Sequence, residues 1–368
     1  MTNSLYLGIV GVGGVGTALL EQPGRISNPP KLVLLSRSTK TLVVHTPSYS
    51  PSIPFEAWEV AAAAPSITTV DALTPEEIAA YLGSAPGRSI LVDNTSDLTL
   101  AKAYPIFLRQ GISVVTPNKK GFSADISLWN DIFASAVQGN ALVYHQATVG
   151  GSLPVLSTLR DLIATGDEIV KIEGVLSGTL SLLFDTFMPA AGKSDAKWSS
   201  LVAHALQIGF MEPDPRDDLN GMDFARKLTI LARVAGIQVT GPESFPVTSL
   251  IPNALLSLPS SAEGIAQFMR DLPNYDEDME VAKSQAEKEG KVLRYIGSIV
   301  ISTGEIQVGM RHLDRDNPIA NLKGSQIVSI YTKRYGANPL VLKGGGGGGE
   351  VTAMCVMSDL LKVMERLA

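Results

Sequence analysis

Read from its N-terminus, the chain opens with short apolar runs that each stop at polar or glycine residues: "LYLGIV", "KLVLLS", "SILVDNTS", "ISVVTPNKK" and "ALVYHQATVGG". Helix-like segments separate them, and that rhythm predicts βαβ units around a parallel sheet. In such sheets ligands lie beyond the carboxyl ends of the strands, so the polar strand ends are where chemistry is expected.

From about Gly150 the pattern changes. A helix over "LPVLSTLRDLIAT" leads into "EIVKIEGVLSGTLSLLF", followed by helices from Trp198 to Gln207 and from Asp223 to Val234. "KVLRYIGSIVIS" and "EIQVGMRHL" face each other across Thr303-Gly304 as a hairpin, and "QIVSIYTKRY" and "PLVLK" add strands. The charged segment Leu258 to Glu289 reads as surface helices. The predicted fold is an α/β Rossmann-type nucleotide-binding domain over 1–149 and an α+β substrate-binding and dimerisation domain over 150–338. A C-terminal strand and helix, 339–368, are expected to return to the first domain.

Length supports this division, because 368 residues exceed one ordinary core and the 45% apolar content fills two. A net charge of -6 argues against nucleic acid or an anionic membrane as partner. Cys355 is the only cysteine, so neither a disulfide framework nor a cysteine zinc site can form within one chain. The N-terminus has no basic leader and no window approaches a membrane span, so a cytoplasmic protein is expected.

"GVGGVG" follows the first strand directly and fits G-x-G-x-x-G through Gly11, Gly13 and Gly16. Gly11 permits a tight turn, Gly13 lets backbone approach a pyrophosphate, and Gly16 lets helix and strand pack; Gly14 and Val15 open the helix whose N-terminus faces the anion. A second tract, "GGGGGG" from Gly344 to Gly349, could be a linker, but it joins a strand to a closing apolar helix and has no further domain to connect. Close backbone approach to a ligand explains it better, with Gly348 as a cofactor contact.

The stretch "EPDPRDDLNGMDFARK", Glu212 to Lys227, carries five carboxylates, two arginines and a lysine in a chain that is only 18% charged. Pro213 and Pro215 keep its start out of a helix, and Asn220 or Gly221 can cap the helix that follows. Asp223 and Lys227 then share one face, while Phe224, Leu228 and Leu231 with Met222, Ile230 and Val234 occupy most of the rest, which predicts a largely buried helix. On a surface such a pair contributes only about 0.3–0.5 kcal/mol. Buried, a lysine oriented by an aspartate is a proton donor or acceptor. A calcium loop is excluded, since Gly221 at its sixth position would put Arg216 first and Lys227 twelfth.

Together "GVGGVG", "DNTS", "TPNKKGF", "ATVGGSLP", "EGVLSGTLSLLF" and "EPDPRDDLNGMDFARK" resemble homoserine dehydrogenase over nearly the whole chain, most closely the short fungal form without a regulatory domain. The resemblance implies interconversion of L-homoserine and L-aspartate 4-semialdehyde with a nicotinamide coenzyme, a step of threonine and methionine biosynthesis. It makes Lys227 the proton-exchanging residue and Asp223 its partner, gives Glu212 and Asp218 the substrate ammonium, and brings Gly178 and Thr179 to the substrate, although "SGT" also suits a helix-capping turn. Lys119 matches a lysine near nicotinamide and substrate, and Asn94 and Thr95 lie where the cofactor would; Lys120 is read as a solvated charge. The family also implies a homodimer and a monovalent cation, sodium or potassium, held at positions corresponding to Gln146, Val149, Gly151 and Leu153. This sequence has Gln146 where the family has an acid, so weaker cation binding is expected.

The end of the second strand, "KLVLLSRSTK", supplies Ser36, Arg37, Ser38 and Lys40 but no acid for a ribose 2′-hydroxyl, which favours NADP(H) over NAD(H), with Arg37 pairing the 2′-phosphate. Three rivals remain. A semialdehyde dehydrogenase needs a cysteine nucleophile, for which Cys355 is badly placed; zinc alcohol dehydrogenases need ligands that one cysteine and scattered His45, His145, His204 and His312 do not supply. A cofactor-sensing regulator would not need both Asp223 and Lys227.

Overall fold

Each apolar run of the first third ends where the backbone must turn to meet a ligand or a helix, and the computed structural model, which describes residues 4–23, 26, 28–345 and 347–367, shows how those ends are arranged. Strands β1 (Leu5–Val10), β2 (Lys31–Ser36), β3 (Lys40–Val44), β4 (Ile67–Asp71), β5 (Arg88–Asp93), β6 (Ser113–Val115) and β7 (Val143–Tyr144) form one sheet in the order β4-β3-β2-β1-β5-β6-β7. From β2 to β7 the pairs are parallel, as the βαβ rhythm requires. The sheet is nonetheless mixed, because β3 and β4 pair antiparallel at its edge. The expectation of a purely parallel sheet missed them: the tight turn between Ser36 and Lys40 sends the chain straight back along β2, with Arg37 N–H donating to Lys40 O at 2.8 Å.

The chain divides into two units, residues 1–152 with 347–368, and residues 153–346. In the second unit β8 (Ile169–Val175), β9 (Lys291–Val300), β10 (Glu305–Asp314), β11 (Gln326–Thr332) and β12 (Leu340–Gly344) form an antiparallel sheet in the order β10-β9-β8-β11-β12. The strand "PLVLK" was expected to return to the first domain with the helix after it. It stays behind, because β12 hydrogen-bonds along β11 from Ile330 to Gln326; only the helix Gly349–Leu367 belongs to the first unit.

The helix Met222–Val234 lies on the antiparallel sheet as its apolar face dictates. Phe224 and Leu228 press on Gly297 of β9, where an added Cβ would stand 2.5 and 2.6 Å from their carbons. Burying two side chains of this size stabilises the fold by about 1.5–3 kcal/mol each, which fixes the remaining face carrying Asp223 and Lys227. The helices Ala262–Asp271 and Asp276–Lys288 are less superficial than expected, since they bury Phe268, Met279 and Ala286.

Candidate active site

Gly11 takes a positive φ of 91°, and its N–H donates to Ser36 O at 2.9 Å, so the turn after β1 is tied to the end of β2. The helix Gly14–Leu20 starts from Gly13 without a side-chain cap, which leaves its first N–H groups directed outward. A Cβ at Gly16 would meet Gly11 O at 2.1 Å, whereas Gly13 and Gly14 have nothing within 4 Å. One glycine serves packing and the others leave room for an anion. The second glycine tract comes to the same place: Gly348 has φ 104°, and a Cβ at Gly349 would lie 2.8 Å from Gly14 O. The helix Gly349–Leu367 therefore begins beside the first.

The turn after β5 is held by Asn94 N–H on Val10 O at 2.8 Å, and Thr95 packs its methyl where a Gly11 side chain would be. Both polar side-chain atoms of Asn94 are buried without a hydrogen-bond partner among the described residues. Such an amide costs free energy unless a ligand completes it, and this fits a dinucleotide at the site. Lys119 precedes the short helix Lys120–Ser123 and is half-buried; so is Lys120, which was expected in solvent.

At the end of β2, Arg37 is exposed with its guanidinium 5.7 Å from the Trp58 ring centroid. Ser36 turns inward instead, its hydroxyl 2.9 Å from Thr41 Oγ1, so Ser38 is the hydroxyl left beside Arg37. Lys40 pairs with Asp71 at 2.6 Å, an acid brought to this edge by the unforeseen strand β4.

In the second unit the charged stretch separates into two groups. Arg216 grips Asp214 through Nε at 2.8 Å and Nη2 at 2.6 Å, and reaches Leu258 O and Pro259 O at 2.6 and 3.0 Å. This pair anchors the turn, and the guanidinium holds the Asp214 carboxyl below its ordinary range. Of the other four carboxylates Asp217 is exposed, and Glu212, Asp218 and Asp223 lie together. Asp218 Oδ2 accepts the Glu212 N–H at 2.9 Å; burial first, then the Glu212 and Asp223 charges, push its carboxyl upward. Thr179 stands against Asp218 and donates to Phe210 O at 3.1 Å.

The capping role in "SGT" falls to Ser177, whose Oγ accepts Leu180 N–H at 3.2 Å, so Gly178 and Thr179 present their own N–H groups at the start of the helix Gly178–Phe187. Lys227 Nζ lies 2.8 Å from Asp223 Oδ2 and 2.6 Å from Leu176 O, the residue before that cap. The structure thus gathers Gly178, Thr179, Glu212, Asp218, Asp223 and Lys227 into one patch of the second unit. Cation, helix N-terminus and carboxylates together suit an amino-acid zwitterion beside a proton-transfer group.

Of the expected cation positions, Gln146 is buried with its N–H donating to Asp359 Oδ2 at 2.8 Å; Val149 is buried and Gly151 takes φ 59°. Leu153 falls in the other unit. Among the described residues no group of three or more His, Cys, Asp or Glu side chains could hold a metal ion. His145 is buried and stacked on Phe122 at 4.0 Å, and burial pushes the Cys355 thiol up to about 12, which makes it an inert core residue.

Known proteins show the same layout. Residues 11–146 match the family model for the homoserine dehydrogenase NAD-binding domain, and residues 154–361 the model for homoserine dehydrogenase. The chain is 63% identical over 368 residues to the homoserine dehydrogenase of Emericella nidulans, covering all of both chains. It is 43% identical to that of Saccharomyces cerevisiae over 100% of this chain and 99% of the other. A Candida auris crystal structure described as a protein of unknown function superposes with a TM-score of 0.91 at 43% identity, covering 100% and 99%. A hyperthermophilic archaeal homoserine dehydrogenase in complex with NADPH shares the fold at a TM-score of 0.71 and 22% identity, covering 99% of each. With both halves matched and full-length relatives at this identity, the chain belongs to the homoserine dehydrogenase family, the oxidoreductases that interconvert L-homoserine and L-aspartate 4-semialdehyde with a nicotinamide coenzyme.

Proposed function

We propose that Lys227 is the residue that exchanges a proton with the substrate oxygen. The observation that carries this is its double tether, to Asp223 at 2.8 Å and to Leu176 O at 2.6 Å, which leaves the third position of the nitrogen for a substrate oxygen. In the reductive direction Lys227 gives a proton to the aldehyde oxygen as hydride reaches the carbon; in oxidation it takes the hydroxyl proton as hydride leaves. The nicotinamide supplies or accepts that hydride. Glu212 and Asp218 hold the substrate ammonium, and the N–H groups of Gly178 and Thr179 suit its carboxylate.

On the coenzyme side, Gly11, Gly13, Gly14, Val15, Gly16 and Gly348 would hold the pyrophosphate, and Asn94, Thr95 and Lys119 would hold the nicotinamide half, which would supply or accept the hydride. Arg37 with Ser38 selects NADP(H). Binding of sodium or potassium near Gln146, Val149, Gly151 and Leu153 is weak, because an amide oxygen replaces a carboxylate. The enzyme works as a cytoplasmic homodimer in threonine and methionine biosynthesis, a reading that rests on its family. The test is coenzyme absorbance with L-homoserine and each coenzyme in turn. Turnover of homoserine that Lys227→Ala abolishes supports the reading, and equal turnover by wild type and variant rejects it.

A further inference from the structure

The first unit contains a set of buried polar groups that none of these roles uses. β5 ends at Asp93, whose side chain is fully buried and forms no ion pair among the described residues. Instead Oδ1 accepts the Thr95 N–H at 2.7 Å, while Oδ2 accepts the Tyr104 hydroxyl at 2.5 Å and the Asn118 side-chain N–H at 3.1 Å. Thr116 Oγ1 donates to Asp93 O at 2.7 Å and accepts the Asn118 N–H at 2.8 Å. Asn118 then gives its second side-chain N–H to Asp97 O at 2.9 Å and takes the Lys120 N–H at 3.0 Å.

Burial pushes the Asp93 carboxyl toward the neutral form, and the hydrogen bonds from Tyr104, Thr95 and Asn118 pull the other way, so its ionisation depends on these partners. A buried carboxyl group left without hydrogen-bond partners is costly, so the arrangement depends on these partners staying in place. The same donors set two loops. Thr95 N–H fixes the turn that bears Asn94 and Thr95; Asn118 is the residue before Lys119, and it also holds the residue after it. Satisfying one carboxylate therefore fixes Asn94, Thr95 and Lys119 relative to each other.

We infer that Asp93 is a positioning residue for hydride transfer: its carboxylate locks the Asn94-Thr95 turn and Lys119 in one register, and Tyr104 keeps the carboxylate in place. The inference rests on the proposed coenzyme role of those three residues. Tyr104→Phe is the cleanest probe, since it removes one hydroxyl and leaves the ring packed; Asp93→Asn keeps shape and replaces an acceptor with a donor. NADPH dissociation constants from coenzyme fluorescence, kcat, and thermal unfolding are measured for each.

Tyr104→Phe should weaken NADPH binding and lower kcat by about tenfold, the scale of one lost charged hydrogen bond. In a Lys119→Ala background, where only the Asn94-Thr95 turn is left to position, the same change should lower kcat by clearly less than it does in the wild type. A Tyr104→Phe enzyme that loses only thermal stability overturns the inference, as does an undiminished kcat effect in the Lys119→Ala background; if Asp93→Asn fails to fold, Tyr104→Phe still decides. Lys119→Ala and Thr95→Ala separate the two levels. If both leave NADPH affinity and kcat intact, the coenzyme reading itself fails and the inference falls with it. If they impair the enzyme and Tyr104→Phe does not, the inference alone is wrong.

Discussion

Across one turn of the helix Met222–Val234, Asp223 Oδ2 lies 2.8 Å from Lys227 Nζ, and the lysine is the more buried partner, 12% exposed against 42%. The carboxylate can adjust toward solvent while the ammonium is fixed by its second tether at Leu176 O. Lys227→Ala, which keeps helix propensity, should lower kcat at least ~100-fold, the usual scale for losing a general acid or base, with the NADPH dissociation constant nearly unchanged. A variant with near-normal kcat would remove Lys227 from proton transfer.

Asp218 should hold a cost in stability. Its folded-state carboxyl is pushed up by burial and by Glu212 and Asp223, so the ionised form is disfavoured in the fold relative to the unfolded chain. The penalty is absent at pH below the ordinary carboxylate range, where both states are protonated, and it is complete above the raised folded value. Asp218→Asn should therefore raise the unfolding temperature at neutral pH, with the gain vanishing toward pH 3 to 4 (roughly the ordinary Asp value), while KM for homoserine rises. Thermal melts across pH that show no gain at neutrality would count against this electrostatic account.

The proposed NADP(H) preference rests on Arg37, which is exposed and lies 5.7 Å from the Trp58 ring centroid. Arg37→Ala should raise KM for NADP(H) about tenfold or more, the loss of one charged hydrogen bond, and change NAD(H) little. A wild type that favours NAD(H), or equal weakening of both coenzymes, would show that Arg37 does not read the 2′-phosphate.

Gln146 gives a test of the cation position. Restoring a charge by Gln146→Glu should strengthen the response of activity to sodium or potassium, because a carboxylate oxygen binds a hard cation better than an amide oxygen. Titration of each salt against both proteins measures it, and an unchanged response would argue that no cation is held there.

What the sequence disclosed was whatever local pattern encodes. Five parallel strands, the fingerprint turn and the Asp223-Lys227 face follow from apolar runs, glycine spacing and the period of a helix. What it concealed depends on pairing between distant segments. "KTLVV" and "ITTVD" are ordinary extended stretches until β3 folds back on β2, and only then does Asp71 meet Lys40. Likewise "PLVLK" belongs with β11 because of a ladder that no local signal announces. The run "KLVLLS" does not alternate, so it could not show that Ser36 faces Thr41 rather than a ligand. Nor could spacing separate Asp214, committed to Arg216, from the carboxylates gathered around Asp218, or reveal that Tyr104 points at Asp93.

The return of the helix Gly349–Leu367 to the first unit bears on how the protein is made. Val356, Leu360 and Val363 of that helix are buried, and its Asp359 takes the Gln146 N–H. On a ribosome adding about 5–20 residues per second, the first 152 residues emerge tens of seconds before this helix, with the whole second unit synthesised between. The second unit can finish folding while the first still lacks one of its apolar covers. A translational stall after Gly344 would therefore leave the nucleotide-binding unit without this helix, however well the second unit had folded.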